Sequence, residues 1–202
     1  YLAARAKRFA AQSTTDYALA LNPQGLLAGR RALLFAGDER WITPQLGLAL
    51  NRFVEQGGRV AFFAPDAFRR TVRLAAGSIG GPSQRAERDV FGESISVEQS
   101  ATAPLVAFAD ALGLLRGPTG SFTHFEFSRS RARVAEVLTA AGRQPGSPAL
   151  VAYRLGKGMV IRVGAVGWQS RLVVSRGGAG VIVPADANVI FTTERILAEL
   201  LR

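Results

Sequence analysis

The chain has 202 residues, 48% of them apolar and none of them cysteine, so it can form a full hydrophobic core but holds no disulfide, thiolate nucleophile or cysteine-based metal site. Its net charge of +10 comes almost entirely from scattered arginines, a bias typical of a GC-rich, actinobacterial-type genome, so nucleic-acid binding is not expected. No apolar run approaches the roughly 20 residues needed to span a bilayer, and nothing indicates a compartment.

The first predicted elements are a helix over residues 2–11 and a strand over residues 17–21, which ends at Asn22-Pro23. The chain begins inside that helix and not with a strand. We therefore expect it to be part of a larger protein, whose other segments could carry the targeting information.

A strand–helix–strand unit follows. Residues 32–36 form an apolar run typical of a strand buried on both faces of a parallel sheet. Thr43 and Pro44 are a capping residue and a first helical residue, and Gly57-Gly58 is a typical helix end. A second apolar run covers residues 60–63. This order predicts a right-handed βαβ unit.

The middle of the chain is less regular. Residues 77–100 are predicted to be a loop or flap insertion, because their first half is rich in Gly, Ser and Pro. A helix is predicted from Pro104, stopped by Gly117-Pro118. Residues 121–127 alternate in the manner of an exposed or edge strand, and residues 134–138 fit either a strand or a helix.

The end of the chain predicts an antiparallel hairpin of residues 149–155 and 159–164, followed by a closing helix over residues 186–201. The fold class predicted from all these elements is α/β: a flavodoxin-like, doubly wound and mostly parallel sheet with helices on both faces and a C-terminal antiparallel hairpin. Residues 1–202 are predicted to form a single domain.

Candidate functional residues gather where the first two buried strands end. Asp38, Glu39 and Trp41 follow the first strand, and Asp66 follows the second. Chemistry in such sheets is found at the carboxyl ends of parallel strands. The alternative is that the acidic residues only cap or polarise the next helix, and that Trp41, like Trp168, is a packing anchor.

His124 and Glu126 form a second candidate pair. Residues two apart on a strand point to the same side, so the imidazole and the carboxylate could share a face. Such a pair can hold a metal or orient a catalytic group. The alternative is a surface histidine next to a glutamate that pairs with one of the many arginines.

Several short motifs resemble the C-terminal domain of the N,N-dimethylformamidase β-subunit-like family. Residues 36–43 read Ala-Gly-Asp-Glu-Arg-Trp-Ile-Thr, and Gly57-Gly58 and an Arg-Thr-Val-Arg-Leu stretch at residues 70–74 follow. Residues 156–160, with Gly164 and Trp168, resemble the family's ending. The resemblance implies a glutamine-amidotransferase-like α/β domain.

Active members of that family are amidohydrolases whose iron is bound by two tyrosines and a glutamate, with a histidine nearby. The resemblance assigns Glu126 and His124 to this metal site. Arg40 stands where one tyrosine ligand is expected, and a guanidinium cannot act as a ligand. The resemblance therefore leads to the hypothesis that Arg40 pairs with Glu126 and replaces the metal.

Two functions follow from the resemblance. The favoured one is a non-catalytic or degenerate amidotransferase-like domain without a cofactor, binding a small polar ligand or a neighbouring domain through Arg40, Trp41, Asp66 and Trp168. The alternative is a metal-dependent amide hydrolase that uses iron or another divalent metal. Its catalytic residues would be Asp38, Glu39, His124 and Glu126.

Overall fold

A computed structural model describes residues 11–37, 39–75, 78–129, 133–141, 147–176 and 182–202. Asp38 and nearly all of the helix predicted over residues 2–11 lie outside these ranges. None of the helices in the described ranges is long and apolar enough to cross a membrane.

The described residues form four helices, one 3₁₀ turn and fourteen strands. The helices are α1 (Asp16–Leu21), α2 (Pro23–Leu27), α3 (Pro44–Glu55) and α4 (Ala187–Leu200), and the 3₁₀ turn is Trp168–Arg171. The strands of the main sheet are β1 (Ala32–Phe35), β3 (Arg59–Phe62), β8 (Leu105–Asp110), β10 (Arg133–Thr139), β11 (Leu150–Leu155) and β12 (Gly158–Val163). The remaining strands pair in twos: β2 (Trp41–Ile42) with β4 (Arg70–Thr71), β5 (Leu74–Ala75) with β6 (Ser78–Ile79), β7 (Gln99–Ala103) with β9 (Phe122–Phe125), and β13 (Ser175–Arg176) with β14 (Ile182–Val183).

The main sheet is mixed, so the predicted fold class is wrong. Its strand order is β1-β3-β12-β11-β10-β8. The pairs β1–β3 and β3–β12 are parallel, whereas the other three pairs are antiparallel. A flavodoxin-like, doubly wound sheet would continue with parallel strands and crossover helices. Here β10, β11 and β12 follow one another along the chain in antiparallel pairs, and the described residues between them form no helix.

The strand–helix–strand order and the parallel pairing of the predicted βαβ unit are confirmed. The hydroxyl of Thr43 accepts a hydrogen bond from the Leu46 amide at 3.2 Å, and Pro44 occupies the first turn of α3. Gly57, with φ of 118°, follows the end of the helix. β1 and β3 then pair in parallel, as expected for strands joined by a helical crossover.

Both faces of the sheet are buried at β3, where successive residues point to opposite sides and pack into different clusters. Val60 and Phe62 pack with α3, whereas Ala61 and Phe63 join the cluster of α4. The second cluster also contains Trp168, which is fully buried. Helices therefore lie on both faces, as predicted, although the sheet between them is mixed.

Two local predictions are wrong. Residues 17–21 form helix α1 and not a strand: the Thr15 hydroxyl caps this helix by accepting from the Ala18 amide. The helix predicted from Pro104 is instead β8, an end strand that pairs with β10. Because residues 106–109 are all exposed, β8 lacks the alternation of buried and exposed residues that identifies a strand.

The C-terminal predictions are confirmed. β11 and β12 form the antiparallel hairpin, with the turn at Gly156, whose φ is 58°. The closing helix is α4, and the carboxylate of Asp186 caps it by accepting from the amides of Asn188 and Val189. This hairpin places β12 beside β3, where the carboxyl ends of the parallel strands meet.

Candidate functional site

The most elaborate polar arrangement among the described residues is a buried cluster of arginines and carboxylates around Glu126, here called the arginine–carboxylate cluster. It consists of Asp66, Arg69, Arg85, Asp89, Glu126 and Arg162. Glu126 follows β9, Asp66 and Arg69 follow β3, and Arg162 is near the end of β12. The cluster therefore lies at the carboxyl edge of the parallel strands, where sites in such sheets form.

Glu126 is at the centre of the cluster and its side chain is only 1% exposed. One carboxylate oxygen contacts Arg85 and lies 3.8 Å from Arg69 Nη1. The other accepts from the Asp66 amide at 2.6 Å and lies 3.5 Å from Arg162 Nη2. Both oxygens are thus occupied by donors, as a buried carboxylate requires.

Gly164 fixes the backbone of Glu126. The Glu126 amide donates to the Gly164 carbonyl at 2.8 Å. A Cβ atom on residue 164 would lie 2.1 Å from the Glu126 carbonyl oxygen, far inside van der Waals contact. Only a glycine lets the two backbones approach this closely, so Gly164 is part of the support of the cluster.

The loop after β3 is held in an unusual conformation. Asp66 and Phe68 both have positive φ, 57° and 55°, which non-glycine residues rarely adopt. The Asp66 carboxylate accepts from Arg85 Nε at 2.5 Å and lies 3.8 Å from Arg70 Nε. These contacts offset the cost of the strained backbone, which is about 1–3 kcal/mol for each such residue.

Arg69 ties the segment of residues 85–96 to the sheet. Its guanidinium donates to the carbonyls of Ala86 at 2.6 and 2.8 Å, Glu87 at 3.2 Å and Ser96 at 3.1 Å. Burial lowers the pKa of Arg69, and the nearby Arg85 lowers it further. An arginine that donates this many bonds to backbone carbonyls acts as a structural clamp.

Asp89 closes the cluster from the other side. One of its carboxylate oxygens accepts from the amides of Phe91 and Glu93, and the other accepts from Arg162 Nη1 at 3.2 Å. Burial raises the pKa of Asp89, although Arg162 opposes this effect.

Burial also raises the pKa of Tyr153 well above its usual value. The Tyr153 hydroxyl has no hydrogen-bond partner in the described part of the chain.

The cluster is close to electrical neutrality, since the three carboxylates are matched by Arg69, Arg85 and Arg162. A general acid or base needs an accessible carboxyl or imidazole, whereas Asp89 and Glu126 are buried, Asp66 is partly buried, and all three are bonded to donors. Three guanidinium groups around Glu126 would also repel a divalent cation. The arrangement is therefore suited to holding loops on the sheet edge.

The structure brings together only some of the predicted site residues. Asp66 and Glu126 are in direct contact. Glu39 accepts from the Gly37 amide, and the Nδ1 atom of His124 lies 3.0 Å from the Thr123 hydroxyl. Arg40 has an exposed side chain. The arginines that contact Glu126 in the described ranges are others: Arg69, Arg85 and Arg162.

The two tryptophans differ in environment. Trp41 is 53% exposed, whereas Trp168 is fully buried and donates to the Thr193 hydroxyl at 3.0 Å. No group of three or more His, Cys, Asp or Glu side chains that could hold a metal is found within the described ranges. The predicted roles of Asp38, Glu39, His124 and Glu126 in catalysis, and of Arg40, Trp41, Asp66 and Trp168 in ligand binding, stay predictions.

The sequence reasoning missed four members of the cluster: Arg69, Arg85, Asp89 and Arg162. One signal was available for Arg162, which interrupts an otherwise apolar strand. An arginine is almost never fully buried unless it is paired. The other three lie in loops and carry no pattern that distinguishes them from the remaining charged residues.

The similarity of the chain to known proteins is found among solved structures. No protein-family model and no curated protein matches the chain. A β-galactosidase from Bacillus circulans sp. alkalophilus matches 84% of this chain with 17% identity and a TM-score of 0.53. One from the haloarchaeon Halorubrum lacusprofundi matches 88% with 21% identity and a TM-score of 0.51.

A third β-galactosidase, from Rahnella sp. R3, matches 67% of the chain with 18% identity and a TM-score of 0.50. At these identities the likeness shows the fold alone. The matched parts are 22%, 23% and 20% of the three β-galactosidase chains. The chain therefore spans about a fifth of the length of the structures that it resembles.

These matches correct the family assignment. The fold is that of a part of β-galactosidases, and no family model supports the N,N-dimethylformamidase β-subunit-like or glutamine-amidotransferase-like assignment. That assignment is wrong, and so are both functions that depended on it. Its motifs were short glycine-containing turns and buried strands, which many α/β proteins share.

Proposed function

We propose that the chain is an α/β domain of a larger glycosidase that acts on β-galactosides or related β-glycosides. In this proposal the domain has a structural role. The carboxylates that break the glycosidic bond come from another part of the larger glycosidase. The observation that carries the proposal is the match of 84% and 88% of the chain to about a fifth of two β-galactosidases.

The state of the carboxylates supports a structural role. Glycosidases use two carboxyl groups on either side of the bond, about 5–5.5 Å apart in retaining enzymes and about 6.5–9.5 Å apart in inverting ones. Asp66 and Glu126 are the nearest approach to such a pair, but Arg85 contacts both. Both are therefore engaged by the same guanidinium and do not form an open pair that could flank a glycosidic bond.

The exposed apolar surface of the sheet edge is consistent with a domain that contacts other parts of a protein. β8 ends the sheet, and all four residues from Val106 to Ala109 are exposed, including Phe108 at 59%. An uncovered apolar edge strand favours aggregation, so proteins cover or interrupt such edges. In this proposal the partner is a neighbouring domain, and neither a cofactor nor nucleic acid takes part.

Hydrolysis assays test the proposal. The full-length product of the gene that encodes these residues and the 202-residue chain alone are assayed with a panel of aryl β-glycosides that includes a nitrophenyl β-galactoside. We expect hydrolysis by the full-length product and none above the buffer background by the chain. A full-length product inactive on the whole panel would contradict the glycosidase assignment. Hydrolysis by the isolated chain would contradict the structural role.

A further inference from the structure

A large groove lies apart from the arginine–carboxylate cluster and shares no lining residue with it. It has a volume of about 1150 Å³ and runs along α3, between this helix, the α1–α2 pair and the end of α4. Its lining includes Arg59 at the start of β3 and Gly58 just before it. The groove therefore begins at the amino edge of the parallel strands and extends along α3 as far as Thr43. We call it the amino-edge groove.

The amino-edge groove is strongly basic. No Asp or Glu side chain lines it within the described ranges, whereas five arginines do: Arg30, Arg31, Arg52, Arg59 and Arg202. The buried Glu199 offsets one of these charges, lying 3.7 Å from Arg59 and 2.7 Å from Arg202. Arg31 and Arg52 are exposed and have no ion pair in the described part of the chain.

The size of the groove favours a peptide over a small molecule. Pockets for small ligands have volumes of about 300–1,000 Å³ and enclose most of the ligand. This groove is larger and open along one side. α3 has twelve residues, so its length is about 18 Å. An extended peptide of five or six residues covers the same length at about 3.3 Å per residue.

The apolar residues of the groove favour a peptide over nucleic acid. Leu21 and Leu48 are 60% and 62% exposed on its walls. Phe53 is the one aromatic residue that lines the groove in the described ranges, and it is 9% exposed. Single-stranded nucleic acids stack their bases on exposed aromatic side chains, which this groove lacks. Aliphatic residues between arginines instead fit a segment that carries both carboxylates and leucine-like side chains.

We propose that the amino-edge groove binds an acidic peptide segment of a partner protein, in which Asp or Glu residues alternate with aliphatic ones. Arg31 and Arg52 pair with the carboxylates, and Leu21 and Leu48 contact the aliphatic side chains. This inference goes beyond the proposed glycosidase role and does not depend on it. It also gives a binding role to some of the arginines that make the net charge of the chain +10.

Fluorescence anisotropy with a fluorescein-labelled Glu-Leu repeat peptide and the 202-residue chain tests the proposal. We expect binding that weakens as ionic strength rises, because exposed ion pairs are screened by salt. The double variant R31E/R52E is expected to weaken binding by about ten-fold or more, since it replaces attraction by repulsion. The matched control R116E/R129E makes the same charge change at two exposed arginines that do not line the groove.

The control variant is expected to change the affinity by no more than about two-fold. Equal losses in both double variants would overturn the proposal, because binding would then follow net charge and not the groove. Absence of peptide binding would also overturn it, as would tighter binding of inorganic phosphate or of a single-stranded oligonucleotide. Circular dichroism melting of both variants verifies that each is folded.

Discussion

The two edges of the parallel strands use arginine in opposite ways. At the carboxyl edge, Arg69, Arg85 and Arg162 are partly or fully buried and are matched by three carboxylates. At the amino edge, Arg31 and Arg52 are exposed, with no ion pair in the described ranges. Burial forces a charge to be paired, whereas an exposed charge remains available for a partner. The first edge is therefore suited to holding loops on the sheet, and the second is suited to recognition.

The largest expected effect is at the carboxyl edge. Replacing Arg162 by Met leaves the buried carboxylate of Asp89 without its guanidinium partner. It also removes one of the three arginines that contact the buried carboxylate of Glu126. Removing one member of a buried ion pair costs about 3–5 kcal/mol. We expect the free energy of unfolding of R162M, measured by urea denaturation, to fall by this amount. A loss below about 1 kcal/mol would mean that the cluster contributes little to stability.

Gly164 provides a second, smaller test of the same edge. Substitution by Ala places a methyl group 2.1 Å from the Glu126 carbonyl oxygen, so the two backbones must separate. Overpacking of this kind costs about 1–3 kcal/mol. The control is G81A, because no atom lies within 4 Å of a Cβ at Gly81. Thermal melting is expected to show a clearly lower midpoint for G164A only. Equal midpoints would contradict the proposed support of Glu126.

The regular elements were predictable where local patterns determine them. Thr43-Pro44 and Gly57 mark the ends of α3, and the glycine turn at residue 156 marks the hairpin. β8 was not predictable, because pairing with β10 and not local propensity makes it a strand. The same limit explains the wrong fold class: two correct elements, the βαβ unit and the hairpin, do not specify how the sheet continues beyond β12.

The arginine–carboxylate cluster was only partly predictable, for a related reason. Asp66 was placed at the carboxyl edge because it follows a buried strand, and Glu126 because of its spacing from His124. Their actual partner Arg85 is 19 residues from Asp66 and 41 from Glu126 in sequence. Contacts of this kind depend on how the loop returns to the sheet, which local pattern does not determine. A charged residue inside an apolar strand, such as Arg162, was the signal that a buried partner existed.

The pH dependence of stability distinguishes the two protonation states of Asp89. Burial raises the pKa of Asp89, so the folded protein binds this proton more tightly than the unfolded chain does. The stability that Asp89 contributes is therefore fully present below the unfolded-state pKa and is lost as the pH rises through the folded-state pKa. We expect the difference in free energy of unfolding between the wild type and D89N to decrease from acid to neutral pH, measured by urea denaturation.

An increase of that difference with pH would contradict this expectation, since it would show that pairing with Arg162 outweighs burial. The variant R52Q is a suitable control for these titrations. It removes no carboxyl group, so its difference from the wild type is expected to be the same at each pH. The comparison therefore separates the effect of the Asp89 proton from the effect of changing the net charge.

The smallest expected effect is that of R52Q itself on stability. Arg52 lies in the last turn of α3, where a positive charge stabilises the helix dipole by about 0.3–1 kcal/mol. The other arginines of the amino-edge groove repel it, which offsets this gain. We expect the free energy of unfolding of R52Q to stay within about 0.5 kcal/mol of the wild type. A loss comparable with that of R162M would contradict the distinction between the edges, because Arg52 would then stabilise the fold instead of remaining available for a partner.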